Sequence, residues 1–182
     1  VHIVTGATTS TQNLVSCVNR AGIEVKDMVI GQLAAAEAVL TPDERELGVA
    51  LLDIGGGTAD LAIFERGALW HTAVIGVGGD HFTNDIAVGL RTPIPEAEKV
   101  KRRSGCALSG MVDEDETIEV ASVGGRRPRV MARRILSDIL QPRAEELFHL
   151  AWDEISKAGY EKSLNSGLVL TGGGAVLDGL SE

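Results

Sequence analysis

Cysteine is scarce in this chain of 182 residues: Cys17 and Cys106 stand far apart and share no Cys-x-x-Cys spacing. That argues against a disulfide framework or a zinc site, and both thiols are expected to be free and buried. No apolar run approaches the roughly 20 residues of a membrane-spanning helix, and no signal-peptide pattern is read. Positive charge is also short. The 17 Lys and Arg against 26 Asp and Glu leave a net charge of -9, which disfavours general nucleic-acid affinity and fits a soluble cytosolic setting. The histidines His2, His71, His81 and His149 share no spacing that suggests metal or nucleophilic chemistry.

Two glycine turns are what the chain does have. Leu51-Leu52-Asp53-Ile54-Gly55-Gly56-Gly57-Thr58-Ala59-Asp60-Leu61-Ala62-Ile63-Phe64 reads as two apolar strands joined by a glycine hairpin with acidic groups at its rim. Val169-Leu170-Thr171-Gly172-Gly173-Gly174-Ala175 is a second such turn. One Gly-Gly-Gly is often only a tight turn. Two, each after an apolar strand, favour phosphate handling, because amides freed in a glycine turn form an anion-binding concavity. Neither run is followed by the Gly-Lys-Ser/Thr of a Walker A loop, and neither has the strand-to-helix setting of a Rossmann fingerprint. Asp53, at a buried strand end beside the expected phosphate, suits a hydrated Mg²⁺ ion, which keeps several waters and takes few carboxylates.

With 44% apolar residues the chain can bury a core as one domain or two small lobes. Val1 to Val4 reads as a strand, and Leu14, Cys17, Val18 and Ala21 share a helical face that Gly22 ends. Ile23 to Ile30 reads as extended. Ala34 to Leu40 is a helix of small residues stopped by Thr41-Pro42. Three strands in meander order fill Val49 to Ile75, and a helix capped near Asp80 follows with Phe82, Ile86 and Leu90 inward. Thr92-Pro93-Ile94-Pro95 marks a crossing into a smaller lobe. That lobe is expected to hold a charged helix Glu96 to Arg103, a strand Thr117 to Val123, a Gly124-Gly125 turn, and helices Val130 to Leu140 and Pro142 to Lys157. The second of these should bury Leu147, Leu150, Ala151 and Ile155. Gly167 to Leu170 then returns to the first sheet. Beginning inside a strand and stopping after a glycine turn, the chain reads as a piece of a longer protein.

These motifs resemble the superfamily of actin, DnaK-type chaperones and sugar kinases, whose two α/β lobes clasp ATP. Asp53 to Thr58 is similar to its second phosphate motif, Leu170 to Ala175 to its adenosine motif, and Ala34 to Ala38 to its first connecting helix. Within it, Asp43 to Val49, Gly105 to Leu108, Val120 to Arg129 and Gln141 to Leu147 resemble the FtsA family, bacterial divisome homologues of actin. The resemblance implies an α/β, actin-like ATPase fold with ribonuclease-H-like lobes. Residues 1–48 would be the second half of subdomain 1A, 49–92 and 164–182 subdomain 2A, and 93–163 subdomain 2B. The first phosphate motif, subdomain 1C, the second connecting helix and the C-terminal membrane-targeting amphipathic helix have no counterpart in this stretch.

Residue by residue, the resemblance places Mg²⁺ on Asp53 through water and the β- and γ-phosphates of ATP on Gly55, Gly56, Gly57 and Thr58. Gly172, Gly173 and Gly174 would approach the α-phosphate and adenosine, Glu98 and Lys101 the ribose and base, and Arg102 would stack on adenine. Read locally, those charges are also an ordinary solvated helix face. Relatives place a Glu or Gln just before the connecting helix to orient the attacking water. Here Gly31 takes that place and Gln32 lies one residue along, so an at most weak ATPase is implied. Arg126, Arg127, Arg129, Arg133 and Arg134 would form a basic groove for the acidic and apolar tail of the tubulin homologue FtsZ, or be exposed arginines at a turn. The implied protein is a self-associating filament former that links the FtsZ ring, among other divisome partners, to the cytoplasmic face of the inner membrane at the division site. An MreB-like filament and a phosphotransferase of the same fold are the alternatives.

Overall fold

A computed structural model describes residues 2–182. Helices α1 (Thr8–Arg20), α2 (Gly31–Val39) and α3 (Pro42–Leu47) precede strands β1 (Val49–Ile54), β2 (Ala59–Glu65) and β3 (Ala68–Ile75). Then come α4 (Gly79–Gly89), α5 (Ile94–Ser104), the hairpin strands β4 (Thr117–Val120) and β5 (Arg129–Ala132), α6 (Arg133–Ala158) and β6 (Leu168–Thr171). One sheet has the order β3-β2-β1-β6, and β4 with β5 makes the other.

Strand β1 lies at the centre because both of its faces are apolar. With a side-chain period of two, Ala50, Leu52 and Ile54 enter the main core, while Val49 and Leu51 join Ala36, Leu40, Ala62 and Phe64 on the opposite face. Full burial of each leucine stabilises the fold by about 1.5–3 kcal/mol. Strand β2 pairs antiparallel to β1, as a short hairpin requires, whereas β6 pairs parallel to it after the long excursion through α4 to α6.

Several sequence expectations are corrected. Val1 lies outside the described residues, and His2 to Val4 form no strand; Ile3 is 77% exposed. Ile23 to Ile30 pairs with no strand either. A strand needs a neighbour for its N–H and C=O groups, and the four-stranded sheet ends at β3 and β6. Thr41-Pro42 ends α2 but also opens α3: Thr41 Oγ1 accepts from the Glu44 amide at 3.2 Å, and Glu44 Oε2 accepts from the Thr41 amide at 2.7 Å. That reciprocal pair is a capping box. Cys106 is buried as expected, but Cys17 is exposed on α1, which buries no residue.

The largest difference is α6. It is one helix of 26 residues with Pro142 inside it, not two helices. Leu136, Leu140, Ala144, Leu147, Ala151 and Ile155 form an unbroken buried stripe across the proline. Their burial outweighs the roughly 3 kcal/mol a proline costs mid-helix. Leu150 lies off this stripe and is exposed. Val130 belongs to β5, where it pairs with Glu119, instead of to a helix.

Candidate nucleotide cleft

Parallel pairing of β1 with β6 sets Asp53 opposite Thr171. Both glycine turns therefore leave the same end of the sheet side by side, at the carboxyl ends of two parallel strands, where open α/β sheets bind ligands. At some of the glycines the packing there admits no side chain. Gly172 has φ +86°, and a Cβ on it would overlap Asp53 Oδ1 and stand 2.6 Å from the Ile54 carbonyl oxygen. A Cβ on Gly78 would stand 2.5 Å from the Gly56 carbonyl oxygen.

The first turn is closed by the Gly55 amide donating to the Thr58 carbonyl at 2.9 Å. Its own carbonyls are held from below, since Gly55 O accepts from the Gly79 amide at 2.9 Å and Gly56 O from the Asp80 amide at 2.8 Å. The start of α4 is thus committed to the loop. The amides of Gly56 and Gly57 donate to no protein group among the described residues, which leaves them for an anion.

A cleft of about 570 Å³ opens over these turns. Gly55, Gly56, Gly173 and Gly174 form its floor, and Glu98, Lys101 and Arg102 of α5 form one wall. All seven were expected at the site from sequence. Asp53, Gly57, Thr58 and Gly172 adjoin these lining residues in the same two turns. Sequence reading missed Gly79, Asp80, Phe82, Arg103 and Asp178, which also line the cleft. The sequence holds a signal for the first two: Gly78-Gly79-Asp80 is a third glycine step, opening a helix.

Charges in the wall are tightly organised. Lys101 Nζ lies 2.7 Å from Glu98 Oε2, 2.7 Å from Thr83 Oγ1 and 2.8 Å from the Gly79 carbonyl oxygen. Burial works to raise the Glu98 pKa, but hydrogen bonds from Lys101 and Thr83 and the charges of Lys101 and Arg102 outweigh it and hold the carboxyl below its ordinary range. Asp53 and Asp60 are cross-strand partners on β1 and β2. Burial, then the charge of Asp53, raises the Asp60 carboxyl above its ordinary value. Neither aspartate has a cationic partner among the described residues. No group of three or more His, Cys, Asp or Glu among these residues could hold a metal, so a cation here would rest on few carboxylates and water.

The remaining candidates lie elsewhere. Gln32 is half-buried in the first turn of α2 and does not line the cleft. The arginines divide. Arg126 and Arg127 are exposed in the β4–β5 connection, Arg129 donates to the Leu90 carbonyl, and Arg134 lies 3.5 Å from Glu114. Arg133 is turned inward, donating to Glu116 at 2.7 Å and to the Ser104 carbonyl at 2.8 Å.

The sheet order, the paired glycine turns and the cleft between them define an actin-like ATPase fold. A solved structure of MreB5 of Spiroplasma citri bound to ADP superposes with a TM-score of 0.71 at 22% identity, covering 96% of this chain and 56% of that one. The family model for Cell division protein FtsA matches residues 50–182. Cell division protein FtsA of Pseudomonas aeruginosa is 51% identical over all of this chain and 44% of its own length, and that of Escherichia coli 44% identical over all of this chain and 45% of its own. The chain belongs to the FtsA family of cell-division proteins, and it spans less than half the length of these curated relatives.

Proposed function

We propose that this chain carries most of the second lobe of an ATP-binding, actin-like cell-division protein, with residues 49–92 and 164–182 as its nucleotide-bearing subdomain 2A, 93–163 as 2B and 1–48 as part of 1A. The observation that carries the reading is the cleft itself: two glycine turns side by side, Asp53 at their root, and two amides in the first turn, of Gly56 and Gly57, that donate to no protein group among the described residues. Gly55 to Thr58 would hold the β- and γ-phosphates, Gly172 to Gly174 the α-phosphate and adenosine, and Arg102 would cover the base. Asp53 fits a hydrated Mg²⁺, because two unpaired carboxylates, one with a raised pKa, leave negative charge for a cation to offset. Bound Mg²⁺ would neutralise phosphate charge, while the chain's own residues orient the phosphates and carry the base.

Turnover is at most slow in this reading, because Gln32 lies outside the cleft lining and Gly31 offers no group to orient water. Nucleotide then acts as a switch for self-association into filaments. Arg126, Arg127 and Arg134 offer exposed positive charge for an acidic tail of FtsZ, with Arg129 and Arg133 shaping the hairpin beneath. No helix among the described residues is long and apolar enough to cross a membrane; attachment at the division site would use a C-terminal amphipathic helix outside this stretch. Two titrations of the full-length protein test this. ATP should saturate one site per chain, and a labelled FtsZ-tail peptide should bind and be lost on reversing Arg126 and Arg127; a folded protein that binds neither contradicts the proposal.

A further inference from the structure

Lys101 is held against the protein by three oxygen atoms gathered on one side of its ammonium group. Nζ meets Gly79 O at 2.8 Å, Thr83 Oγ1 at 2.7 Å and Glu98 Oε2 at 2.7 Å, with the side chain only 14% exposed. Thr83 Oγ1, on a residue just 4% exposed, donates in turn to Glu98 Oε2 at 2.5 Å. Lys101 is thereby fixed against the start of α4. It is also in contact with the peptide that carries the phosphate loop. The carbonyl it holds belongs to Gly79, whose amide donates to Gly55 O, and the next amide, of Asp80, donates to Gly56 O. A Cβ on Gly79 would stand in ordinary contact, 3.5 Å, with both Gly55 O and Lys101 Nζ.

We propose that Lys101 is a positioning residue that clamps the first peptide of α4 under the Gly55–Thr58 loop. This rests on the nucleotide reading of the cleft and refines it. Glu98 and Lys101 take different parts. Glu98 uses one oxygen, Oε2, for Thr83 and Lys101, and its side chain is 40% exposed, which leaves Oε1 to accept from a sugar hydroxyl. Lys101 fixes the geometry through which the Gly56 and Gly57 amides point at phosphate. Helix α5, on the nucleoside side, is thereby joined to the phosphate side by Nζ and a single peptide. A nucleoside that draws Glu98 away from Lys101 loosens the clamp, and one that leaves the pair intact keeps it closed.

The test uses the full-length protein with Lys101→Met and, as the milder variant, Thr83→Val, each first checked for folding by circular dichroism. In the ligand-free protein, hydrogen exchange at the Gly79 and Asp80 amides should accelerate about tenfold in Lys101→Met and about threefold in Thr83→Val, with β2 amides unchanged. Calorimetric titration should then show ATP and ADP affinity falling about tenfold in Lys101→Met while adenosine affinity stays within twofold. Equal losses for adenosine and ATP would make Lys101 a direct nucleoside ligand and overturn the proposal, as would unchanged exchange at Gly79 and Asp80. If Lys101→Met does not fold, the Thr83→Val exchange and titrations decide alone. Failure of wild-type protein to bind any of the three probes would defeat the nucleotide reading instead, and the exchange data would still judge the clamp.

Discussion

Gly172 and Asp53 are packed so closely that a methyl group on the glycine would occupy the place of the aspartate's Oδ1. The glycine also holds φ +86°, a left-handed conformation that side chains resist. Gly172→Ala is expected to cost about 1–3 kcal/mol of stability and to displace the Asp53 carboxylate. Chemical denaturation measures the first. Loss of most ATP affinity in a variant still folded at 25 °C would show the second.

Asp60 gives a pH dependence with a defined sign. Its carboxyl is raised, first by burial and then by Asp53, so the folded protein binds its proton more tightly than the unfolded chain. That contribution is fully present below the ordinary carboxylate value of about 4 and is lost as pH rises through the raised value. Asp60→Asn is therefore expected to raise Tm at pH 7 and to give no gain near pH 4. Thermal melts at the two pH values check this; an equal shift at both would show that the charge is not the cause.

Helices α4 and α6 are joined by Arg143, whose Nε donates to Asp85 Oδ2 at 2.7 Å and whose second amino group donates to Oδ1 at 3.1 Å. Both side chains are 25% exposed, so the pair is screened only in part. Removing either partner should cost about 1–3 kcal/mol. A double-mutant cycle with Arg143→Met and Asp85→Asn should return a coupling of about 1 kcal/mol or more. A coupling near zero would mean that the pair is incidental.

Pro142 tests the continuity of α6. In an unbroken helix, Pro142→Ala restores a hydrogen bond and removes a clash at an exposed site. The gain is expected to be about 1–2 kcal/mol after allowing for the greater freedom of the unfolded chain. If the chain broke there into two helices, alanine would give no gain.

What the sequence made legible follows from where its physics is local. The β1–β2 hairpin, the return of β6 and the helix that buries Phe82 and Ile86 are written in apolar periodicity and glycine placement; the helix is capped by Gly78 rather than Asp80, and Leu90 lies at its C-cap. Both glycine turns and the α5 charges converge on one cleft. Pro142 misled because a local rule was outweighed by a stripe of buried contacts spread over both sides of it. Strand β5 escaped notice because Val130 and Met131 acquire their partners only through pairing with Glu119 and Ile118. Lys101 shows in sequence as a charge on a helix face, while its contacts with Gly79, Thr83 and Glu98 come only from the packing of α5 on α4. Arg133 likewise joined a basic cluster on paper, yet Glu116 and Ser104 hold it inside.

The most direct measurement is a calorimetric titration of ATP into the full-length protein, with and without Mg²⁺, for wild type and Asp53→Asn. Saturable binding of one ATP per chain, tightened at least tenfold by Mg²⁺ in wild type and not in Asp53→Asn, is the expected result. No binding by folded wild-type protein, or a Mg²⁺ effect of equal size in both, would contradict a nucleotide site built on Asp53 and its two glycine turns.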